Sequence, residues 1–189
     1  MKPTAPLYLA LLHHPVLDQH GEIITTAVTN LDIHDGGRIA ATFGIQRYFL
    51  ITPILEQRAL VHRVRSHWVE GPGARKKSAR HTAMALVEPI CDLQATCDQI
   101  EEREGLRPRI IGTSARPLPE KKVSYEDARG LLLQQETPLL LLFGTGWGIA
   151  PSISPSIDLY LPPIYGPTEF NHLSVRSAMS IILDRLLGS

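Results

Sequence analysis

Five apolar residues in unbroken series, Leu139-Leu140-Leu141-Leu142-Phe143, stand between Pro138 and Gly144. A run this short and continuous, bounded by turn formers, reads as a strand buried on both faces. Strands of that kind belong to parallel sheets, whose crossover helices cover each side. The rest of the chain follows the same plan, with short β-like runs alternating with amphipathic stretches. Strands are predicted at Leu7–His13, Tyr48–Thr52, Arg109–Thr113 and Ile157–Leu161 as well. Helices are predicted from Leu31 to Phe43, Glu56 to Trp68, Cys91 to Glu104, Tyr125 to about Gln135, and about His172 to Leu187. Thr29 and Asp32 have capping-box spacing before the first of these, and Ser124 and Asp127 before the fourth. Gly44 and Gly105 stop two helices, and Met84–Val87 is a strand or a helix end. The expected class is α/β, with a mostly parallel sheet flanked by helices.

The chain has 189 residues, which fits one domain spanning 1–189. Its apolar runs, including Leu7–Leu12 and Ile181–Leu187, are too short to span a membrane, and the N-terminus lacks a signal-type cleavage site. A cytoplasmic protein with no membrane partner is expected. Cys91 and Cys97 are too few for a disulfide framework and lack zinc spacing, so they read as reduced structural thiols with no metal site.

Net charge is zero, yet the charge is unevenly placed. Arg58, Arg63, Arg65, Arg75, Lys76, Lys77 and Arg80 face only Glu70 in their stretch, whereas Asp92, Asp98, Glu101, Glu102 and Glu104 follow. A local basic surface attracts phosphate even on a neutral protein, and a solvated helix face would read the same way. Trp68 lies within this segment, available for stacking or part of the core.

In an open parallel sheet, ligands bind where loops leave the C-terminal ends of the strands. Three such loops are unusual: Gly112-Thr113-Ser114-Ala115-Arg116, Phe143-Gly144-Thr145-Gly146-Trp147-Gly148-Ile149, and Leu161-Pro162-Pro163-Ile164-Tyr165-Gly166. Glycine at three positions of the second permits close backbone approach to a ligand. Its G-x-G-x-G spacing is neither a P-loop nor a dinucleotide fingerprint.

With these loops in view, the chain resembles the SPOUT, or α/β-knot, methyltransferases over most of its length. The ribose methyltransferases of that family carry N-x-G-x-x-x-R-x-x-x-x-x-G on an early helix, and Arg38 and Gly44 keep the Arg-to-Gly spacing within Asp32–Gly44. An apolar strand into F-G-x-E-x-x-G is similar to Leu141–Gly148, with Gly146 where the family has Glu. I-P-x-x-G followed by S-L-N-V-S-V-A is similar to Leu161–Gly166 and Phe170–Val175. The segments Thr26–Asp35, Gly144–Gly148 and Phe170–Arg176 resemble a small bacterial group classed as RNA methyltransferases.

The resemblance implies a deep C-terminal trefoil knot, S-adenosylmethionine held by the knot loops, and a homodimer packed through the C-terminal helix. It implies RNA, tRNA or rRNA, as the substrate. Cofactor contacts are then expected at Thr113, Ser114, Phe143, Gly144, Thr145, Gly146, Trp147, Gly148, Leu161, Pro162, Ile164, Tyr165, Asn171, His172, Leu173 and Ser174. Arg38 is the first candidate for catalysis, holding a phosphate or stabilising a deprotonated nucleophile. Asp32, His34 and Asp35 are possible proton acceptors on the same helix, and His34 shares a face with Arg38. Asp32 also reads as an N-terminal cap. The basic segment would be the RNA surface. An alternative is a SPOUT-fold module that binds RNA or nucleotide without transferring a methyl group.

Overall fold

A computed structural model describes residues 4–76, 78–118, 121–134 and 136–188. Lys77 and Gln135 lie outside these residues, as do the side chains of Arg75 and Lys76. The chain runs β1 (Leu7–Leu12), β2 (Val16–Leu17), β3 (Ile23–Ile24), α1 (Asn30–Thr42), β4 (Tyr48–Ile51), α2 (Leu55–Val69) and α3 (Ala79–Ala85). It continues with β5 (Val87–Ile90), α4 (Leu93–Glu104), β6 (Arg109–Gly112), α5 (Tyr125–Gln134), β7 (Leu139–Gly144), β8 (Leu159–Tyr160) and α6 (Val175–Leu187). Short 3-10 helices lie at Pro72–Lys76 and Pro151–Ser156.

The main sheet has six strands in the order β5-β4-β1-β7-β6-β8, and every pairing in it is parallel. The expected class holds, and the Leu139 run is the buried strand expected. β1 and β7 pair residue for residue from Leu7–Leu139 to Leu12–Gly144. Because side chains alternate along a strand, β1 feeds two cores. Leu7, Leu9 and Leu11 join a large cluster with α1, α2, α3, α5 and α6. Tyr8, Ala10 and Leu12 join a smaller one with α4 and the Pro151–Ser156 helix. Continuous apolar strands are what two-sided coverage demands.

The capping box at Thr29 and Asp32 forms, with each side chain bonded to the other residue's backbone N–H. Gly105 closes α4 in the left-handed conformation. Other boundaries move for local reasons. Asp92 caps α4 through the Ala95 N–H, so Cys91 stays outside the helix. Ser174 accepts from the Ser177 N–H, so α6 starts at Val175 and His172 is left in the preceding loop. β8 is shorter than expected because Ile157 ends a 3-10 helix. Met84–Val87 resolves into the end of α3 and the start of β5, an edge strand that tolerates Pro89. The small β2–β3 hairpin was not foreshadowed by any apolar run of useful length. Both cysteines are free, Cys91 exposed and Cys97 buried. No helix among the described residues is long and apolar enough to cross a membrane.

Candidate active site

The loops leaving the C-terminal ends of β6, β7 and β8 converge on one cleft of about 860 Å³. Of the cofactor residues expected from sequence, all but Leu161 line it. Leu161 is buried in the core beneath, its N–H bonded to Gly112 O at 3.1 Å. Ala115, Arg116, Pro117, Glu169, Val175, Ala178 and Ile182 complete the walls, and of these Pro117, Glu169, Ala178 and Ile182 stand outside the loops and motifs read from the sequence. Asn171 donates from Nδ2 to Ala115 O at 2.6 Å, tying the loop after β8 to the loop after β6. At the mouth, Trp147 is 49% exposed and meets His172 edge-on at 5.9 Å, with Phe170 on the far side of His172 at 5.4 Å.

The glycine loop is held from behind by the β2–β3 hairpin. Leu17 N–H donates to Gly148 O at 2.9 Å, and Trp147 N–H donates to Leu17 O at 2.8 Å. Gly146 has φ of +59°, and a Cβ there would lie 2.6 Å from Leu17 O. Any side chain at this position meets backbone, so the Glu of the related motif has no room here. The hairpin and the glycine are one adaptation. Thr145 is anchored too: its hydroxyl donates to Leu12 O at 3.1 Å and touches the Thr26 hydroxyl, which in turn contacts His13 Nδ1 at 2.9 Å. His13 and Thr26 were not foreseen, since neither stands in a recognisable catalytic spacing.

Across α6 lies a second depression of about 540 Å³, lined by Asp35, Arg38, Ile39, Thr42, Phe43, Ser174, Arg176, Ser177 and Ser180. Ser174 borders both it and the cleft. Arg38 is exposed and forms no ion pair among the described residues. Arg176 instead takes the acids, with Nη1 3.0 Å from Asp32 Oδ1 and Nε 3.5 Å from Asp35 Oδ2. Asp32 is buried, and its Oδ2 accepts from the Thr29 N–H at 2.9 Å and the Thr29 hydroxyl at 2.7 Å. Both carboxylate oxygens are thus engaged. His34 does not share a setting with Arg38. It packs edge-on to Trp68 at 6.4 Å, its Nδ1 is buried without a partner, and burial, then Arg80, hold its pKa below the ordinary value.

Helix α1 sits tightly against the sheet. A Cβ on Gly36 would lie 2.3 Å from the Tyr48 ring, and one on Gly37 would lie 2.7 Å from Met84 Cε. The Tyr48 hydroxyl donates to Asp32 O at 3.2 Å, and burial pushes its pKa well above the usual tyrosine value.

In the basic segment, Trp68 packs partly into the core, with the Arg80 guanidinium 4.9 Å from its ring centroid. Arg58 donates to Thr52 O at 2.7 Å, and Arg65 lies 3.8 Å from Glu70. His62 and Arg63 stand exposed on α2.

A family model described as SAM-dependent RNA methyltransferase matches residues 6–188. The chain belongs to that family. It is 42% identical over 187 residues to a tRNA (guanine-N(1)-)-methyltransferase of Oleidesulfovibrio alaskensis, covering 99% of this chain but only 43% of that protein. It is 38% identical over 182 residues to an uncharacterized protein of Aquifex aeolicus, covering 96% of this chain and 88% of that one. In fold it is similar to the SpoU methyltransferase AviRb of Streptomyces viridochromogenes, solved with AdoMet, at 14% identity and a TM-score of 0.60, covering 99% of this chain and 61% of that one. The RNA methyltransferase resemblance read from the motifs agrees with the family model, and the solved structure shares the fold.

The cleft suits the family's cofactor, S-adenosylmethionine. Among the described residues, the backbone N–H groups of Ile164, Tyr165, Leu173 and Ser174 make no backbone hydrogen bond, and these residues line the cleft. Apolar side chains such as Phe143 and Ile182 stand between them. Free backbone donors beside apolar walls match a nucleoside joined to a charged amino-acid tail.

Proposed function

We propose that this protein transfers a methyl group from S-adenosylmethionine to RNA, with the cofactor in the cleft and the RNA backbone against Arg38. The observation that carries this reading is the wall the two depressions share at Ser174. Arg38, with no ion pair among the described residues, lines the depression that meets the cleft at Ser174, which supports this reading.

When bound, S-adenosylmethionine supplies an electrophilic methyl on a sulfonium sulfur. The loop Gly144–Gly148 and Pro162, Ile164 and Tyr165 would hold the adenosine, and Thr113 and Ser114 would line its other side. Arg38 grips a phosphate or stabilises a nucleophile losing its proton, as a planar, permanently charged fork does well. Placing the acceptor in line supplies several kcal/mol of the barrier reduction. Asp32, with both oxygens bonded, positions α1 against α6 rather than taking a proton. His34 serves the packing of α1 against Trp68 of α2, and exposed cations of α2 such as Arg63 extend the RNA surface.

Three finer features belong to the same reading. Residues 161–174 pass the glycine loop to complete a trefoil knot. Trp147, Tyr165, Phe170 and Leu173, all exposed near the start of α6, become covered in a homodimer. The protein works in the cytoplasm on tRNA or rRNA. Two relatives named tRNA (guanine-N(1)-)-methyltransferase make tRNA the first substrate to try, although the chain spans under half the length of either.

The test is calorimetry with S-adenosylmethionine on the parent and on Ser114→Trp, which fills the cleft. Binding by the parent that the variant loses, followed by methyl incorporation into tRNA or rRNA, bears the reading out. A folded parent that binds nothing ends it.

A further inference from the structure

His13 is 1% exposed, stands just past the end of β1, and lies outside the lining of the cleft. Its Nδ1 is 2.9 Å from the Thr26 hydroxyl, and its Nε2 is buried with no hydrogen-bond partner among the described residues. The direction of the hydrogen bonds around it follows from their far end. Leu12 O can only accept, so the Thr145 hydroxyl spends its single proton there. Thr145 Oγ1 must then accept from Thr26, whose hydroxyl proton is spent in turn. Thr26 Oγ1 is left to accept, and His13 Nδ1 must donate. The chain of bonds therefore allows one neutral tautomer, with the proton on Nδ1 and a bare lone pair on Nε2.

We propose that His13 is a positioning residue for the cofactor loop, holding Thr145 through Thr26 by donating from Nδ1. This rests on the reading of the cleft as the S-adenosylmethionine site. Thr145 stands at the end of β7 where the glycine loop begins, and Gly148 N–H donates to Thr145 O at 3.1 Å. Fixing Thr145 fixes both ends of the turn that lines the cleft. The same segment reaches the RNA side, because Thr29, three residues after Thr26, caps α1 and holds Asp32. Val28 N–H, between them, is pinned to Gln57 Oε1 at 3.0 Å. A buried imidazole with an unsatisfied Nε2 is costly to keep in a core. Alignment of the loop gives it a function that packing alone does not.

The test uses the full chain. Calorimetry with S-adenosylmethionine compares the parent with His13→Leu, His13→Asn, Thr26→Val and the double variant His13→Leu with Thr26→Val. Asparagine keeps an N–H donor near Nδ1, and leucine keeps only volume. His13→Leu and Thr26→Val each weaken binding about tenfold, the loss of one aligned hydrogen bond. The double variant loses no more than either single, since both break one chain of bonds. His13→Asn stays within about twofold of the parent. Nitrogen NMR of the ligand-free parent gives an independent readout and finds His13 protonated on Nδ1 alone. Equal binding by all variants, additive losses, or a proton on Nε2 overturns the proposal. A parent with the Nδ1–H tautomer that binds no cofactor overturns the reading of the cleft instead.

Discussion

Arg176 on α6 holds Asp32 on α1 at 3.0 Å, and by that bond the helix beside the cleft is fastened to the helix that carries Arg38. The pair stands where the related motifs have Asn on the first helix and Ala on the last. Asp32 is 7% exposed in its side chain and Arg176 is 26% exposed.

Arg176→Met therefore strands a buried carboxylate. The expected loss of stability is about 2–3 kcal/mol, at the low end for a broken buried pair because Arg176 keeps part of its side chain in water. Urea denaturation measures it. Arg176→Met combined with Asp32→Asn recovers most of the loss, since no buried charge is then left unpaired and Asp35, the second partner, is 41% exposed in its side chain.

Arg38→Ala behaves oppositely. The side chain is exposed and has no ion pair among the described residues, so stability changes by less than about 0.5 kcal/mol. Cofactor affinity is unchanged. Single-turnover methyl transfer to RNA falls about a hundredfold, the scale for removing a charge aimed at the reacting centre. An unchanged rate would move catalysis elsewhere on the cleft.

Gly146→Glu restores the residue of the related motif and is expected to fail here. Its Cβ would meet Leu17 O, and φ at this position is already left-handed. Thermal unfolding should show a loss of at least about 2 kcal/mol, and calorimetry should show no cofactor binding. Gly21→Ala is the control. Gly21 is also left-handed, with φ of +85°, but its surroundings are open, so only the backbone term of about 1 kcal/mol appears.

Acid weakens the fold through two histidines. Burial holds His13 below the ordinary value of 6.5, against the opposing pull of Asp32 and Thr26. Burial and then Arg80 do the same for His34, against Asp35. Both bind a proton more readily unfolded than folded, so stability rises with pH below 6.5 and is lost on acidification through that value. Urea midpoints between about pH 5 and 8 follow the trend, and His34→Gln makes the slope shallower.

The sheet was legible because its strands are covered on both sides and so spell themselves out as apolar runs. Leu7–Leu12 and Leu139–Phe143 needed no other signal. The cleft was legible because its loops carry glycines and motif spacings. The hairpin was not, because Val16–Leu17 and Ile23–Ile24 are too short to set a periodicity. His13 and Thr26 were hidden for a different reason. Their partner, Thr145, is more than a hundred positions away, and hydrogen bonds of that span leave no local pattern. His34 and Arg38 stand four apart on α1, and that spacing does not decide which of the two the fold covers: Arg38 lines the depression beside α6, whereas His34 packs on Trp68.

The flush seat of α1 carries a last consequence. Gly36 and Gly37 let the helix rest against the Tyr48 ring and Met84 with no slack beneath it. The bearing of the Arg38 guanidinium is then set by the volume of two core side chains. A Met84→Ala cavity, outside the lining of both depressions, would let the helix settle and detune methyl transfer, and a screen that searched only the rim of the cleft would never find it.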